Sequence, residues 1–268
     1  MAQKKIRVVV SGASGRMGRQ VVCAVSAEKD MRVVGGVDVV GVGRDVGKVA
    51  GIGKAGAEIA GDIKAALGSV KPDVVVDFTT AEGFEKRAGA VLDAGCRLVV
   101  GTTGIDDSTI KKLSAKAERK KLGVIIAPNF AIGAVLMMKF AREAVEFLSD
   151  VEIIELHHDK KADAPSGTAL YTARLIAGAK KGKPLRKDPT KLEKLKGCRG
   201  GALGDISIHS VRLPGYLAHQ EVIFGGPGQT LTIRHDTTSR ESFMPGVIFA
   251  VRRVMKMDRL VAGLENLI

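Results

Sequence analysis

The stretch "IRVVVSGASGRMGRQ", Ile6–Gln20, decides the fold class. Its β-branched run to Val10 predicts a buried strand, and Met17, Val21, Val22 and Val25 then recur at the spacing of one helix face. Between the two stand Gly12, Gly15 and Gly18 as G-x-x-G-x-x-G, a variant of the dinucleotide-binding turn. Glycine suits that place because the chain must turn sharply and let a pyrophosphate approach backbone N–H groups at a helix N-terminus. Arg16 sets a guanidinium at the same point. The next strand, "MRVVGGVD", closes on Asp38, where a carboxylate can accept from a ribose 2′-OH. A glycine turn can also be merely steric; the flanking strand and helix and the following acid favour a nucleotide. Asp38 would repel a 2′-phosphate and is followed by Val39 and Val40, while Arg44 and Lys48 lie in the loop beyond. The expectation therefore leans to NADH, with NADPH as the alternative.

Outward from this turn, the first half alternates strands and helices. A glycine-rich segment, 41–61, reads as an irregular loop. Helix "DIKAALGSV", strand "DVVVDF", helix "EGFEKRAGAVLDAG", strand "RLVVG", helix "DDSTIKKLSAKAERKK" and strand "GVIIAP" follow. Strict succession of this kind predicts a parallel sheet covered by helices on both faces. Two further turns fall at carboxyl ends of its strands, where open α/β sheets bind ligands. One is Gly101, Thr102 and Thr103; the other is Ala127, Pro128, Asn129 and Phe130. Either can equally be an ordinary turn.

The second half has another pattern. A long helix, "AIGAVLMMKFAREAVEFLS", precedes the strand "DVEIIELHHD" and the helix "SGTALYTARLIAGAK". Segment 180–204 reads as a long loop. Three strands, "DISIHSVRL", "AHQEVIFGG" and "TLTIRHDTT", are separated by Pro-Gly pairs and predict an antiparallel meander. A last helix near Phe243–Met255 and a short tail end the sequence.

Composition limits the function classes. The chain has 268 residues, is 45% hydrophobic and 26% charged, and carries a net charge of +13. Its Lys and Arg are scattered, and two tyrosines without tryptophan offer little for base stacking, so small anions fit the charge better than nucleic acid. No apolar run reaches the roughly 18 residues of a membrane span, and the N-terminus lacks a signal-peptide pattern, so the expectation is a cytoplasmic protein. Cys23, Cys96 and Cys198 form no metal-type spacing and read as free thiols, with Cys23 and Cys96 expected to be buried.

The chemistry concentrates in "ELHHDKKADAPSGTAL", Glu155–Leu170. His157 and His158 end a strand, Lys161 follows, and Ser166 can cap a helix whose Gly167 and Thr168 N–H groups would then face an anion. Histidine suits proton transfer near neutral pH, and lysine serves as donor or carboxylate clamp. The plainer alternative is a charged surface loop ahead of a capped helix. Adjacent histidines lack the i, i+4 spacing of a zinc helix, so no metal is expected. Neither Tyr171 nor Tyr216 has a lysine four residues on, which argues against short-chain dehydrogenase chemistry.

Taken in order, "SGASGRMGRQ", "VVGTTG", "APNFAIGA", "ELHHDKKADAPSGTAL", "RGGALGDISIHSVRLPG" and "TTSRESFMPG" resemble the 4-hydroxy-tetrahydrodipicolinate reductase (dihydrodipicolinate reductase) family over essentially the whole chain. The resemblance implies an α/β protein with an N-terminal Rossmann dinucleotide-binding domain, 1–130 with 241–268 returning to it. A C-terminal α+β domain with a mixed, largely antiparallel sheet, 131–240, would bind substrate and form a homotetramer. It implies NAD(P)H-dependent reduction of a cyclic imine dicarboxylate with loss of water, on the route to diaminopimelate and lysine. By position, Gly12, Ala13, Ser14, Gly15, Arg16, Met17 and Asp38 match the cofactor loop and its ribose acid. Gly101, Thr102, Thr103, Ala127, Pro128, Asn129 and Phe130 match the nicotinamide end. His157 and Lys161 match the catalytic pair, and His158, Gly167 and Thr168 match substrate-binding positions. Two departures are Val39, where some members carry an arginine for the 2′-phosphate, and Asp159-Lys160, which keep the spacing with other residue types. The rival readings are a homoserine or aspartate-semialdehyde type dehydrogenase, a nucleotide-sensing regulator without turnover, and, more remotely, a nucleic-acid-binding protein. No base stands near Cys96 or Cys198 in sequence to support the semialdehyde type.

Overall fold

The computed structural model describes residues 4–180 and 188–268. Two compact units form: one runs to Phe130 and is completed by Phe243–Ile268, the other is Ala131–Ser242.

The first unit begins β1 (Ile6–Ser11), α1 (Arg16–Ala27), β2 (Met31–Val37), α2 (Val46–Ala50), β3 (Ile59–Ala60) and α3 (Ile63–Val70). It continues with β4 (Val74–Asp77), α4 (Phe84–Asp93), β5 (Arg97–Val100), α5 (Asp107–Lys120) and β6 (Val124–Ile126). The seven-stranded sheet has the order β12-β6-β5-β4-β1-β2-β3, with β12 at Leu260–Ala262. Its paired strands are parallel. The runs Val8–Val10, Val74–Val76 and Leu98–Val100 are buried throughout, as a sheet covered on both faces requires. Burying each valine or leucine side chain contributes about 1.5–3 kcal/mol, so these runs set the pairing. The sheet switches direction between β1 and β4, and the crevice beyond their carboxyl ends is where open α/β sheets take ligands.

Two expectations for this unit change. The segment 41–61 is not irregular throughout: it contains α2 and β3. Asp45 caps α2 and accepts the N–H groups of Gly47, Lys48, Ala55 and Gly56, so one carboxylate organises a loop that lacks apolar periodicity. The C-terminal tail after α8 (Met244–Val254) forms β12, parallel to β6. Three strand residues are too few for a periodic signal; the unpaired edge of β6 selects them, with Gly263 N–H closing the ladder on Ile126 O at 2.8 Å. Helix α8 packs on α1 within this unit.

The second unit holds α6 (Ile132–Ala144), β7 (Asp150–His157), α7 (Gly167–Ala179), β8 (Gly201–Leu203), β9 (Ile206–Arg212), β10 (Ala218–Gly226) and β11 (Gln229–Thr237). Its five-stranded sheet runs β11-β10-β7-β9-β8 and is mixed, since β7 pairs parallel with β9 and the other pairs are antiparallel. The expected mixed sheet forms, but the simple meander does not. Strand β7 lies between β9 and β10, because a strand that buries Val151, Ile153 and Glu155 has backbone N–H and C=O groups that must be paired on both edges. Helix α6 ends at Ala144, short of the expected Ser149, and His158 falls just beyond β7. Of segment 180–204, residues 181–187 lie outside the described residues, 188–200 form no helix or strand, and Gly201–Leu203 form β8. Among the described residues no helix is long and apolar enough to cross a membrane. All three cysteines are free; Cys96 is buried and burial raises its thiol pKa, whereas Cys23 is half-buried and Cys198 exposed.

Candidate active site

In the first unit the glycine turn lies at the carboxyl end of β1. Gly12 has φ +82°, which only glycine adopts without strain, and a Cβ there would lie 2.5 Å from Phe78 O. A Cβ on Gly18 would lie 1.9 Å from Gly12 O, so the third glycine lets α1 seat against the turn. Helix α1 has Gly15 as its N-cap, no side-chain cap and no acid in its first turn. No side chain therefore caps its N-terminal N–H groups. Exposed Arg16 stands beside them, Met17 is half-buried, and Ala13 is buried with its N–H on Val37 O at 3.2 Å.

Asp38 sits just past β2. Its carboxylate accepts Ser14 N–H at 2.9 Å and Val40 N–H at 3.0 Å, which fixes it beside the turn. Ser14 Oγ donates to Val40 O at 2.7 Å, tying the turn to the loop after β2. Gly12, Gly15, Asp38 and Val39 line a cleft of about 510 Å³ together with Phe78, Thr79 and Arg87. Val39 is 87% exposed.

The other two turns lie at neighbouring strand ends. Thr102 is buried and donates to Asp77 Oδ1 at 2.6 Å, while Thr103 is exposed. Gly101 packs on Phe78, where a Cβ would fall 2.1 Å from the ring. Ala127 and Phe130 are buried, Pro128 is exposed and Asn129 half-buried; Phe130 and Phe78 rings have centroids 5.6 Å apart. Asp77, Thr79 and Arg87 were not singled out in the sequence. Thr79 Oγ1 donates to Asp77 Oδ1 at 2.7 Å, and Arg87 Nη2 donates to Thr80 O at 2.6 Å, so this group holds the Phe78–Thr80 loop against Thr102. An acid ending a buried strand is the one signal that could have marked Asp77.

The histidine segment lies in the second unit. Strand alternation puts Glu155 and His157 on one face, and His157 Nδ1 is 2.5 Å from Glu155 Oε2. Glu155 is 0% exposed. Its carboxylate also accepts Arg212 Nη1 at 2.9 Å, Arg212 Nη2 at 2.7 Å and Ser166 N–H at 3.3 Å. Burial alone would push this carboxyl up; the hydrogen bonds from His157, Arg212 and Ser210 outweigh it and hold the pKa at about 2. Arg212 Nη2 further donates to Asp163 O at 2.8 Å, anchoring the loop that carries Lys161. Lys161 is ion-paired with exposed Asp163 at 2.6 Å and its N–H bonds His158 O at 3.2 Å. Ser166 Oγ accepts Ala169 N–H at 3.1 Å, capping α7 as expected, and Gly167 and Thr168 open that helix, with Gly167 exposed. His157, His158, Lys161, Gly167 and Thr168 therefore share one loop between β7 and α7. Glu155 and Arg212 are the members the sequence did not disclose. Glu155 carries a weak signal, two residues from His157 on a strand; Arg212 carries none, being 57 residues away.

Comparison with known proteins identifies the family. Residues 6–130 match the family model "Dihydrodipicolinate reductase, N-terminus", and residues 133–268 match its C-terminal counterpart. The chain is 52% identical over 265 residues to a 4-hydroxy-tetrahydrodipicolinate reductase of Desulfitobacterium hafniense, covering 98% of both chains. It is 51% identical over 263 residues to that of Halalkalibacterium halodurans, covering 98% of this chain and 99% of the other. A solved dihydrodipicolinate reductase from Paenisporosarcina sp. TG-14, with dipicolinate bound, superposes with a TM-score of 0.86 at 42% identity, covering 98% of this chain and 100% of that one. The Rossmann-type unit implies a pyridine nucleotide. The chain belongs to the dihydrodipicolinate reductase family, the 4-hydroxy-tetrahydrodipicolinate reductases.

Proposed function

We propose that the chain reduces 4-hydroxy-tetrahydrodipicolinate to tetrahydrodipicolinate with NADH as its preferred cofactor. The observation that carries the substrate reading is the cluster of His157, Lys161 and the α7 N-terminus on one loop, since a ring with two carboxylates needs a cationic, N–H-rich seat. The solved relative that bears dipicolinate, a ring dicarboxylate, supports the same class of ligand.

The residues present suit a dinucleotide: the uncapped α1 N-terminus and Gly12–Gly15 would take the pyrophosphate, Asp38 the ribose hydroxyls, and the turns at Gly101–Thr103 and Ala127–Phe130 the nicotinamide end. When bound, reduced nicotinamide supplies a hydride. The substrate ring loses its hydroxyl as water and gains that hydride and one proton. His157 gives the proton from Nε2 of its imidazolium form, Lys161 assists as donor and carboxylate clamp, and His158, Gly167 and Thr168 hold the second carboxylate. The fixed carboxylate of Asp38 and the apolar Val39 after it disfavour a 2′-phosphate. Arg44 and Lys48 are exposed and leave NADPH usable at higher concentration.

We further propose a homotetramer assembled through the second unit. Its sheet face opposite the buried side carries half-buried Ile154, Leu156, Val211 and Ile223, and β11 is an exposed edge strand.

Nicotinamide absorbance followed with freshly made synthase product tests the function. Turnover is expected with NADH at a lower KM than with NADPH, and Lys161→Ala should lower kcat by about 10²-fold or more. No oxidation with the wild-type chain would end the substrate reading, a tenfold preference for NADPH the cofactor reading, and full turnover in the variant the role of Lys161.

A further inference from the structure

Glu155 is a charged side chain with no access to solvent, and the cost of desolvating such a group must be offset by full pairing. Arg212 already supplies the neutralising charge through two bonds of 2.9 and 2.7 Å. A purely structural pair needs no histidine, yet the same carboxylate also takes His157 Nδ1 at 2.5 Å. An ionised carboxylate only accepts, so the proton of a neutral His157 must sit on Nδ1. That leaves Nε2 as the ring nitrogen for a ligand, on a side chain that is 15% exposed at the end of β7. Strand alternation sets Glu155 and His157 on one face, and the β7–β9 register sets His157 opposite Arg212 and Glu155 opposite Ser210. The imidazole is thereby held by a carboxylate that is itself held from the neighbouring strand and from the α7 cap, where Ser166 N–H points to Oε1 at 3.3 Å.

We propose that Glu155, gripped by Arg212, is a positioning residue that holds the His157 proton on Nδ1, so that Nε2 is the ring nitrogen that takes up a proton and delivers it to the substrate. This rests on His157 being the proton-transfer group. Neither Glu155 nor Arg212 touches the reacting atoms; Glu155 acts through the ring, and Arg212 acts through Glu155 while also bonding Asp163 O in the Lys161 loop. Loss of such an orienting carboxylate leaves a histidine free to adopt the wrong tautomer and lowers turnover by orders of magnitude in other enzymes.

The test is a double-mutant cycle with Glu155→Gln and His157→Gln, read as kcat and as KM for NADH. Glu155→Gln should lower kcat by about 10²-fold with KM for NADH within about twofold of wild type. In the His157→Gln background the same change should alter kcat by less than about twofold. An equal loss in both backgrounds would overturn the proposal while leaving His157 catalytic; wild-type turnover in His157→Gln would overturn the underlying reading as well. If Glu155→Gln does not fold, the wild-type protein decides the matter. Long-range ¹⁵N–¹H correlation at a pH of about 8.5, with the His157 signals identified by their absence in His157→Gln, should show Nδ1 protonated and Nε2 bare. Protonation at Nε2 would refute it.

Discussion

At the scale of single residues, the protein depends on a few ionised groups held by bonds rather than by solvent. Glu155 is the extreme case. Its folded pKa of about 2 lies below the ordinary 4.5, so the fold favours its charged form. The resulting contribution is complete above about pH 4.5 and is lost as the pH falls toward about 2. It is on the order of 3 kcal/mol by linkage. Melting followed from pH 5 downward should therefore show wild type losing stability across that window. Glu155→Gln, destabilised at neutral pH because Arg212 loses its counter-charge, should change less over the same range. Parallel curves for the two proteins would mean that the acid sensitivity comes from elsewhere, with Asp45, also at about 2 through the Ala55 N–H bond and its neighbours, as the next candidate. His157 and Lys161 stand out as candidates in the sequence because their types and spacing are chemical in themselves. Arg212 was not, because what makes it matter is a carboxylate on another strand.

At the scale of elements, the glycine turn shows how sequence spacing becomes geometry. Three glycines stand between a strand and a helix, and each has a separate physical duty in the turn: φ +82° at Gly12, an open N-cap at Gly15, and the 1.9 Å approach at Gly18. Gly18→Ala must move α1 away from the turn. The expected cost is about 1–3 kcal/mol of stability, as for overpacking elsewhere, together with weaker NADH binding by tenfold or more. Thermal melting and quenching titration with NADH measure both; a variant that melts and binds like wild type would show that α1 is not seated by that glycine. Helix α1 is legible from apolar periodicity, α5 from its amphipathic pattern and α7 from the Ser166 cap; the structure adds Asp62 and Asp106 as the caps of α3 and α5. The elements that escaped, α2, β3, β8 and β12, have two to five residues. Their existence is decided by an edge strand or by Asp45 rather than by any pattern of their own.

At the scale of the whole molecule, the proposed tetramer gives the chain a mass about four times 28.2 kDa in sedimentation or light scattering, and a monomer at micromolar concentration would contradict it. The amino-acid sequence alone determined the alternation of strand and helix in the first half, the change of pattern in the second, the glycine turn between the first strand and helix, and the family that the chain resembles. These are local properties: backbone freedom, apolar period and chemically distinctive side chains act over a few neighbouring residues. Only the tertiary structure decided that β7 divides β9 from β10, that the tail forms a strand, β12, beside β6, and that Glu155, Arg212 and His157 form one unit. Such pairings are selected by burial and by the need to satisfy every enclosed charge and backbone group, conditions that bring together residues far apart in the chain.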